Sequence, residues 1–256
     1  MEQTRSRYTA AETDWISCRD KIALRPLRPE GAELLPQGWG TELPAWLPVP
    51  DSDGLQVNFL LRSAPKDENV TDLCLRFRAG EQRQAEPEEP WLRPALGRKA
   101  VYGGVERLEG AKAVWTAGVR LTLRDGRKVL CRYTLRPHGL AGLWAGYNGG
   151  RLVTRPILCV GDCLLLNYAT SAAGSIRVGI LEGEGSEPVC GRSWEDCQVH
   201  YGNALSEAVR FRGSADLSPL RGRRIRLIFE MRDCVLCAFQ FGNLETIERE
   251  NGGPML

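Results

Sequence analysis

The chain has 256 residues, room for one large domain or two ordinary ones. With 43% hydrophobic and 26% charged residues it has an ordinary globular composition that can bury a core without metals or disulfides. Thirty-four Lys and Arg against 32 Asp and Glu leave a formal charge of +2, too little for a counterion-release footprint. Apolar runs such as Ile157 to Val160 fall far short of the about 20 residues that cross a bilayer. Neither nucleic acid nor a membrane is therefore an expected partner.

Met1 to Trp15 is polar and has no apolar stretch of the signal-peptide kind, which leads to the expectation of a cytoplasmic protein. Nine cysteines, an odd number at irregular spacing, read as small buried hydrophobes in a reducing compartment rather than as a disulfide framework. Residues 1–54 read as an extended arm rich in Pro and Trp, because Pro44, Pro48 and Pro50 around Trp46 rule out a helix. Within this arm Thr9 to Asp20 is a candidate helix.

From Leu55 the period changes to two. Leu55, Val57, Phe59 and Leu61 alternate with polar residues, and Leu73, Leu75 and Phe77 repeat the pattern, as half-buried strands do. Glu81 to Arg98, with its prolines and glutamates around Trp91, reads as a long surface loop. Val119, Leu121 and Leu123, then Asp125-Gly126, then Val129, Cys131, Tyr133 and Leu135, form a hairpin signal. These strands make a β-rich domain over 55–139.

A glycine-rich stretch from Gly139 to Gly150 follows. Beyond it short strands are expected at Leu152 to Val160, Cys163 to Tyr168, Ser175 to Leu181, Ala208 to Arg212, Arg223 to Met231 and Cys234 to Phe241. In the fifth, Ile225, Leu227, Phe229 and Met231 point inward while Arg224, Arg226 and Glu230 point outward. Closely spaced strands with a single helical turn, Asp216 to Gly222, indicate an all-β chain. Its C-terminal module over 140–242 is a β-sandwich or jelly roll, followed by a flexible tail at 243–256.

Leu152 to Pro156, Leu166 and Asn167, Thr170 to Val178, Trp194 to Cys197, Gly202 and Asn203, Ala215 to Ser218, Gly222 and Arg226 to Asp233 occur in an order and spacing that carry a resemblance. Residues 140–242 resemble the C-terminal β-sandwich module that follows the propeller in bacterial glycoside hydrolase family 32-like proteins. Propeller blades need about 40 to 50 residues each, so five blades do not fit before residue 140. The Arg-Asp pairs at Arg19, Arg124 and Arg232 are also not followed by Pro. The resemblance thus implies an accessory module without its usual enzyme.

Glu195 and Asp196 are adjacent, so in extended chain they point to opposite faces, unlike the acid pair that flanks a glycosidic bond. Cys234 and Cys237 have redox or zinc spacing but fall in a strand, without the glycine turn or helix N-terminus that such chemistry uses. Cys159 and Cys163 have the same irregularity. His138 and His200 have no nucleophile elbow nearby, and Gly146 to Gly150 lacks the Lys-Ser/Thr of a phosphate loop. No catalytic residue, metal site or cofactor is expected.

Binding remains. Sugars present an apolar face and a rim of hydroxyls, which suits an aromatic ring beside amides or carboxylates. Trp144, Tyr147 and Asn148 in the glycine-rich junction, with Trp194, Glu195, Tyr201 and Asn203 in the later connection, have that composition. The competing reading makes these aromatics plugs of the sandwich ends. The expected function is a noncatalytic, carbohydrate-associated protein whose partner is a carbohydrate. The alternatives are a glycoside hydrolase-like enzyme with a reduced catalytic half and a structural subunit whose partner is another protein chain.

Overall fold

The computed structural model describes residues 7–9, 15–19, 22–35, 43–52, 54–64, 67–79, 83–93, 100–111, 113–123 and 125–250. The described chain is nearly all β, as the alternation predicts. Its strands are β1 (Arg7–Thr9), β2 (Trp15–Arg19), β3 (Ile22–Pro26), β4 (Gly31–Leu35), β5 (Leu47–Pro48), β6 (Leu55–Ala64), β7 (Asp67–Ala79), β8 (Arg83–Ala85) and β9 (Ala100–Gly110). Then come β10 (Trp115–Leu123), β11 (Lys128–Leu135), β12 (Ala141–Ala145), β13 (Gly150–Thr154), β14 (Ile157–Leu158), β15 (Cys163–Glu182), β16 (Asn203–Ala208) and β17 (Arg224–Gly242). A 3-10 turn at Ser218–Leu220 and helix α1 (Leu244–Glu250) complete the set. The chain divides into an inserted unit, residues 24–142, and a terminal unit that joins residues 1–23 to 143–256.

In the inserted unit the strands form two sheets, β4-β11-β10-β9 and β5-β6-β7-β8. The expected hairpin is β10–β11, with Leu121 opposite Val129 and Gly126 at φ 83 in the turn. Trp91 lies between the sheets. Its ring packs 5.2 Å from Phe59 of β6 and 6.1 Å from Tyr133 of β11, and its indole N–H donates to the Leu27 carbonyl at 2.8 Å. This corrects the surface-loop reading of Glu81 to Arg98 where it is described: β8 pairs with β7, Leu92 bridges Leu73, and Trp91 is core. Flanking prolines and charges masked one large ring whose burial outweighs them.

The terminal unit is organised around β17, whose 19 residues and the 20 of β15 are more than three times the modal strand length of about 5 to 6. The separate strands expected at Cys163 to Tyr168 and Ser175 to Leu181, and at Arg223 to Met231 and Cys234 to Phe241, are two continuous ones. β15 covers one edge of β17 from end to end. The other edge is tiled by β1, β12, β13 and β14, pairing in turn with residues 240–238, 236–234, 231–228 and 225–224.

Ile225, Leu227, Phe229 and Met231 point into the core, and so do Cys234 and Leu236 and, after a further register shift at Cys237, Phe239 and Phe241. The phase slips by one residue at Asp233, which sits at φ 43, as in a β-bulge. Both neighbours loop out beside it. Residues 146–149 separate Ala145, opposite Cys234, from Gly150, opposite Met231. Residues 171–174 separate Thr170, opposite Cys234, from Ser175, opposite Arg232. The Asp233 N–H donates to the Gly146 carbonyl at 3.0 Å, and a side chain at Gly174 would collide with the Asp233 carbonyl. Gly149, at φ 71, closes the first protrusion.

Other expectations change here. The candidate helix Thr9 to Asp20 is instead strand where it is described: Arg7–Thr9 pairs with β17 and Trp15–Arg19 with β13. Sheet edges of the terminal unit override the weak local preference. The arm and the tail also carry order, since β1 to β5 fall within 1–54, and α1 begins where Asp162 Oδ1 accepts the Leu244 N–H at 2.7 Å. Residues 251–256 of the tail lie outside the described residues. The strand expected at Ala208 to Arg212 lies earlier, at Asn203–Ala208, and Asp216 to Gly222 holds the expected turn.

Candidate functional site

Residues opposite one another in antiparallel strands share a face of the sheet. The core-facing side of β17 is apolar, so Ile228, Glu230, Arg232 and Val235 lie on its other side. Cross-strand pairing extends them into rows. Val153, Ile228 and Gly179 form the first, and Arg151, Glu230 and Arg177 the second. Arg232 and Ser175 form the third, beside the 146–149 protrusion. Trp144, Val235, Ala169 and Asn203 form the fourth, across β12, β17, β15 and β16. From Ile228 to Val235 the face spans ~23 Å at strand rise.

Trp194 lies on the first row, its ring 3.4 Å from where a Gly179 Cβ would stand, so the missing side chain lets the indole approach the sheet. The Arg151 guanidinium sits 4.7 Å from its ring centroid and donates to Glu230 at 2.6 and 3.0 Å. Tyr147 is 64% exposed and meets the third row through Arg232. That guanidinium lies 4.4 Å from the phenol centroid, and its Nε–H donates to the Tyr147 carbonyl at 3.1 Å. Trp144 is half-buried and folds over Gly146, while Asn148 is exposed at the tip of the protrusion.

Asn203 is exposed in the fourth row, and Tyr201, two residues earlier, is 74% exposed. Glu195 is exposed beside Trp194. The structure thus places Trp144, Tyr147, Trp194 and Asn203 along one sheet face. Asn148 projects from the protrusion, and Glu195 and Tyr201 belong to the connection that flanks β15. Of the residues that join these aromatics, only Glu230 was read from the sequence as an outward position of an alternating strand; Arg151 and Arg232 were not singled out as site residues.

Other chemistry has structural explanations. Asp196 accepts hydrogen bonds from Arg212 at 2.6 Å and from the Ser193 hydroxyl and N–H at 2.9 and 3.1 Å, which hold its carboxyl below the usual carboxylate range. It caps a loop while Glu195 points to solvent. Burial pushes the Cys234 thiol up to about 12 and Cys163 up to about 11, the reverse of an activated thiolate. Among the eight cysteines whose side chains are described, Cys190 is exposed and the others are buried. His138, at φ 57, stacks edge-on against Trp115 at 4.8 Å.

His200 is a feature that sequence spacing did not disclose. Its ring is buried beside Tyr168, with Nδ1 3.4 Å from a Glu207 oxygen. The Tyr168 hydroxyl donates to the same carboxylate and lies 3.2 Å from the Tyr201 carbonyl. Burial lowers the His200 pKa and Glu207 opposes the shift without cancelling it. Among the described residues no cluster of three His, Cys, Asp or Glu that could hold a metal is found, and no helix is long and apolar enough to cross a membrane.

Fold and face together define an all-β protein with a guanidinium- and aromatic-lined sheet surface. No family model, curated protein or solved structure matches the chain.

Proposed function

We propose that the chain is a noncatalytic, carbohydrate-associated β-sandwich protein that binds sugar on the outer face of β17. The observation that supports this reading is the pair of exposed rings, Tyr147 and Tyr201, beside the amides of Asn148 and Asn203 and the Arg151–Glu230 pair. Aromatic faces match the apolar side of a pyranose, and forked donors and carboxylate acceptors match its hydroxyls. The resemblance of residues 140–242 to the module behind a glycoside hydrolase family 32-like propeller belongs to the same proposal. So does a cytoplasmic location, which the free cysteines favour.

A ring stacked on sugar contributes on the order of 1 kcal/mol beyond burial, so one site binds in roughly the millimolar to high-micromolar range. Affinity electrophoresis of the full chain in a panel of polysaccharide gels tests the idea. Tyr147→Ala and Tyr201→Ala should each abolish retardation while shifting Tm by no more than about 2 °C, because both rings are largely solvated. Trp194→Ala, which uncovers Gly179 and Ile228, should lower Tm by several degrees. Unchanged retardation in both tyrosine variants, or turnover of any chromogenic glycoside by pure protein, would falsify the reading. Copurification of a protein partner without glycan retention would favour the interaction-subunit alternative.

A further inference from the structure

Resting on the carbohydrate reading, we infer that the ligand is an acidic sugar, a uronate, whose carboxylate is held by Arg232. Three other arginines of the terminal unit are held in ion pairs: Arg151 with Glu230, Arg212 with Asp196, and Arg223 with Glu182. Arg232 and Arg177 make no ion pair among the described residues. Both flank Glu230, Arg177 directly across from it and Arg232 two residues along, yet Arg151 takes that carboxylate.

Arg232 is also held in place. Its Nε–H is spent on the Tyr147 carbonyl and its plane rests on the phenol ring, which leaves the two terminal nitrogens as a free fork. Such a fork accepts a carboxylate in bidentate geometry, and its ordering is already supplied by the protein. One charged fork among stacking rings matches a polymer with one carboxylate per sugar. A nucleic acid would instead call for a broad excess of positive charge, and the chain carries only +2.

The test titrates the full chain with uronate oligomers of gluco, galacto and manno configuration, each beside its methyl ester, which keeps the ring and removes the charge. At least one acid should bind about tenfold more tightly than its ester, with an advantage that shrinks in high salt. Arg232→Gln should erase the preference, so that acid and ester bind alike in a folded protein. Arg232→Lys should restore only part of it, because the charge returns without the fork. Arg177→Gln, with no ring packed on it, should give a smaller loss in a fully folded protein.

Equal binding of acid and ester, with Tyr147→Ala weakening both, overturns the acidic-sugar inference and leaves the carbohydrate reading standing. Binding of no oligosaccharide at all, neutral or acidic, removes both. Equal competition by duplex DNA would make the face a general polyanion surface and overturn the inference.

Discussion

His200 is buried, with Tyr168 and the Glu207 carboxylate against its ring. Its folded pKa lies below the unfolded value of 6.5 because burial outweighs the attraction of Glu207. Below 6.5 the unfolded chain therefore binds a proton that the folded chain resists, and stability falls with pH. The contribution is complete above 6.5 and is lost progressively between there and the depressed folded pKa. Urea midpoints measured from about pH 7.5 to 5 should decline through this window in the parent and decline less in His200→Gln. Parallel slopes would show that another group sets the pH response. The polar trio of Tyr168, Glu207 and His200 was not legible in sequence, because its members lie on β15, β16 and the connection between them, and only pairing brings them together.

Between β15 and β17, order depends on the bulge at Asp233 and the two protrusions beside it. Gly174 has no side chain where the backbone carbonyls of Asp233 and Arg232 approach, and backbone atoms yield less readily than the end of a flexible side chain. Gly174→Ala should cost about 1–3 kcal/mol, enough to lower Tm by several degrees, whereas Ala173→Gly at the exposed tip should cost much less. A calorimetric scan that placed the two variants together would refute a close-packed bulge. The alternation of Ile225 to Met231 made this half of β17 readable from the order of its residues. Cys234 to Phe241 was legible as a strand too, but not as the same strand, since a one-residue slip at Asp233 looks like a strand end when no partner is in view. The Asp125-Gly126 hairpin was legible because its turn residues are local. The strand at Trp15–Arg19 was not, because it depends on β13, more than a hundred residues away.

At the scale of the molecule, the terminal unit is made of both ends of the chain. Tyr8 stacks on Phe239 at 4.9 Å, and β2 lies along β13, so residues 143–256 alone would expose two ladder edges and an aromatic face. The module expected over 140–242 therefore needs a contribution from the first 23 residues. A purified 143–256 fragment should melt below the intact protein or self-associate, and added peptide 1–23 should raise its Tm in a concentration-dependent way. An unchanged Tm on adding the peptide would show that the unit closes without it.

The pairing of Arg7 with Gln240 across 233 positions also has a consequence during synthesis. The β1 segment leaves the ribosome ahead of its partner by an interval on the order of tens of seconds at ordinary elongation rates. Once residue 142 has emerged the inserted unit has all its own strands available, whereas the terminal unit still lacks its central one. The nascent chain must therefore carry a finished inner domain between two unfinished halves of another. Its exposed early strand is then a substrate for chaperones until β17 arrives to close the ladder.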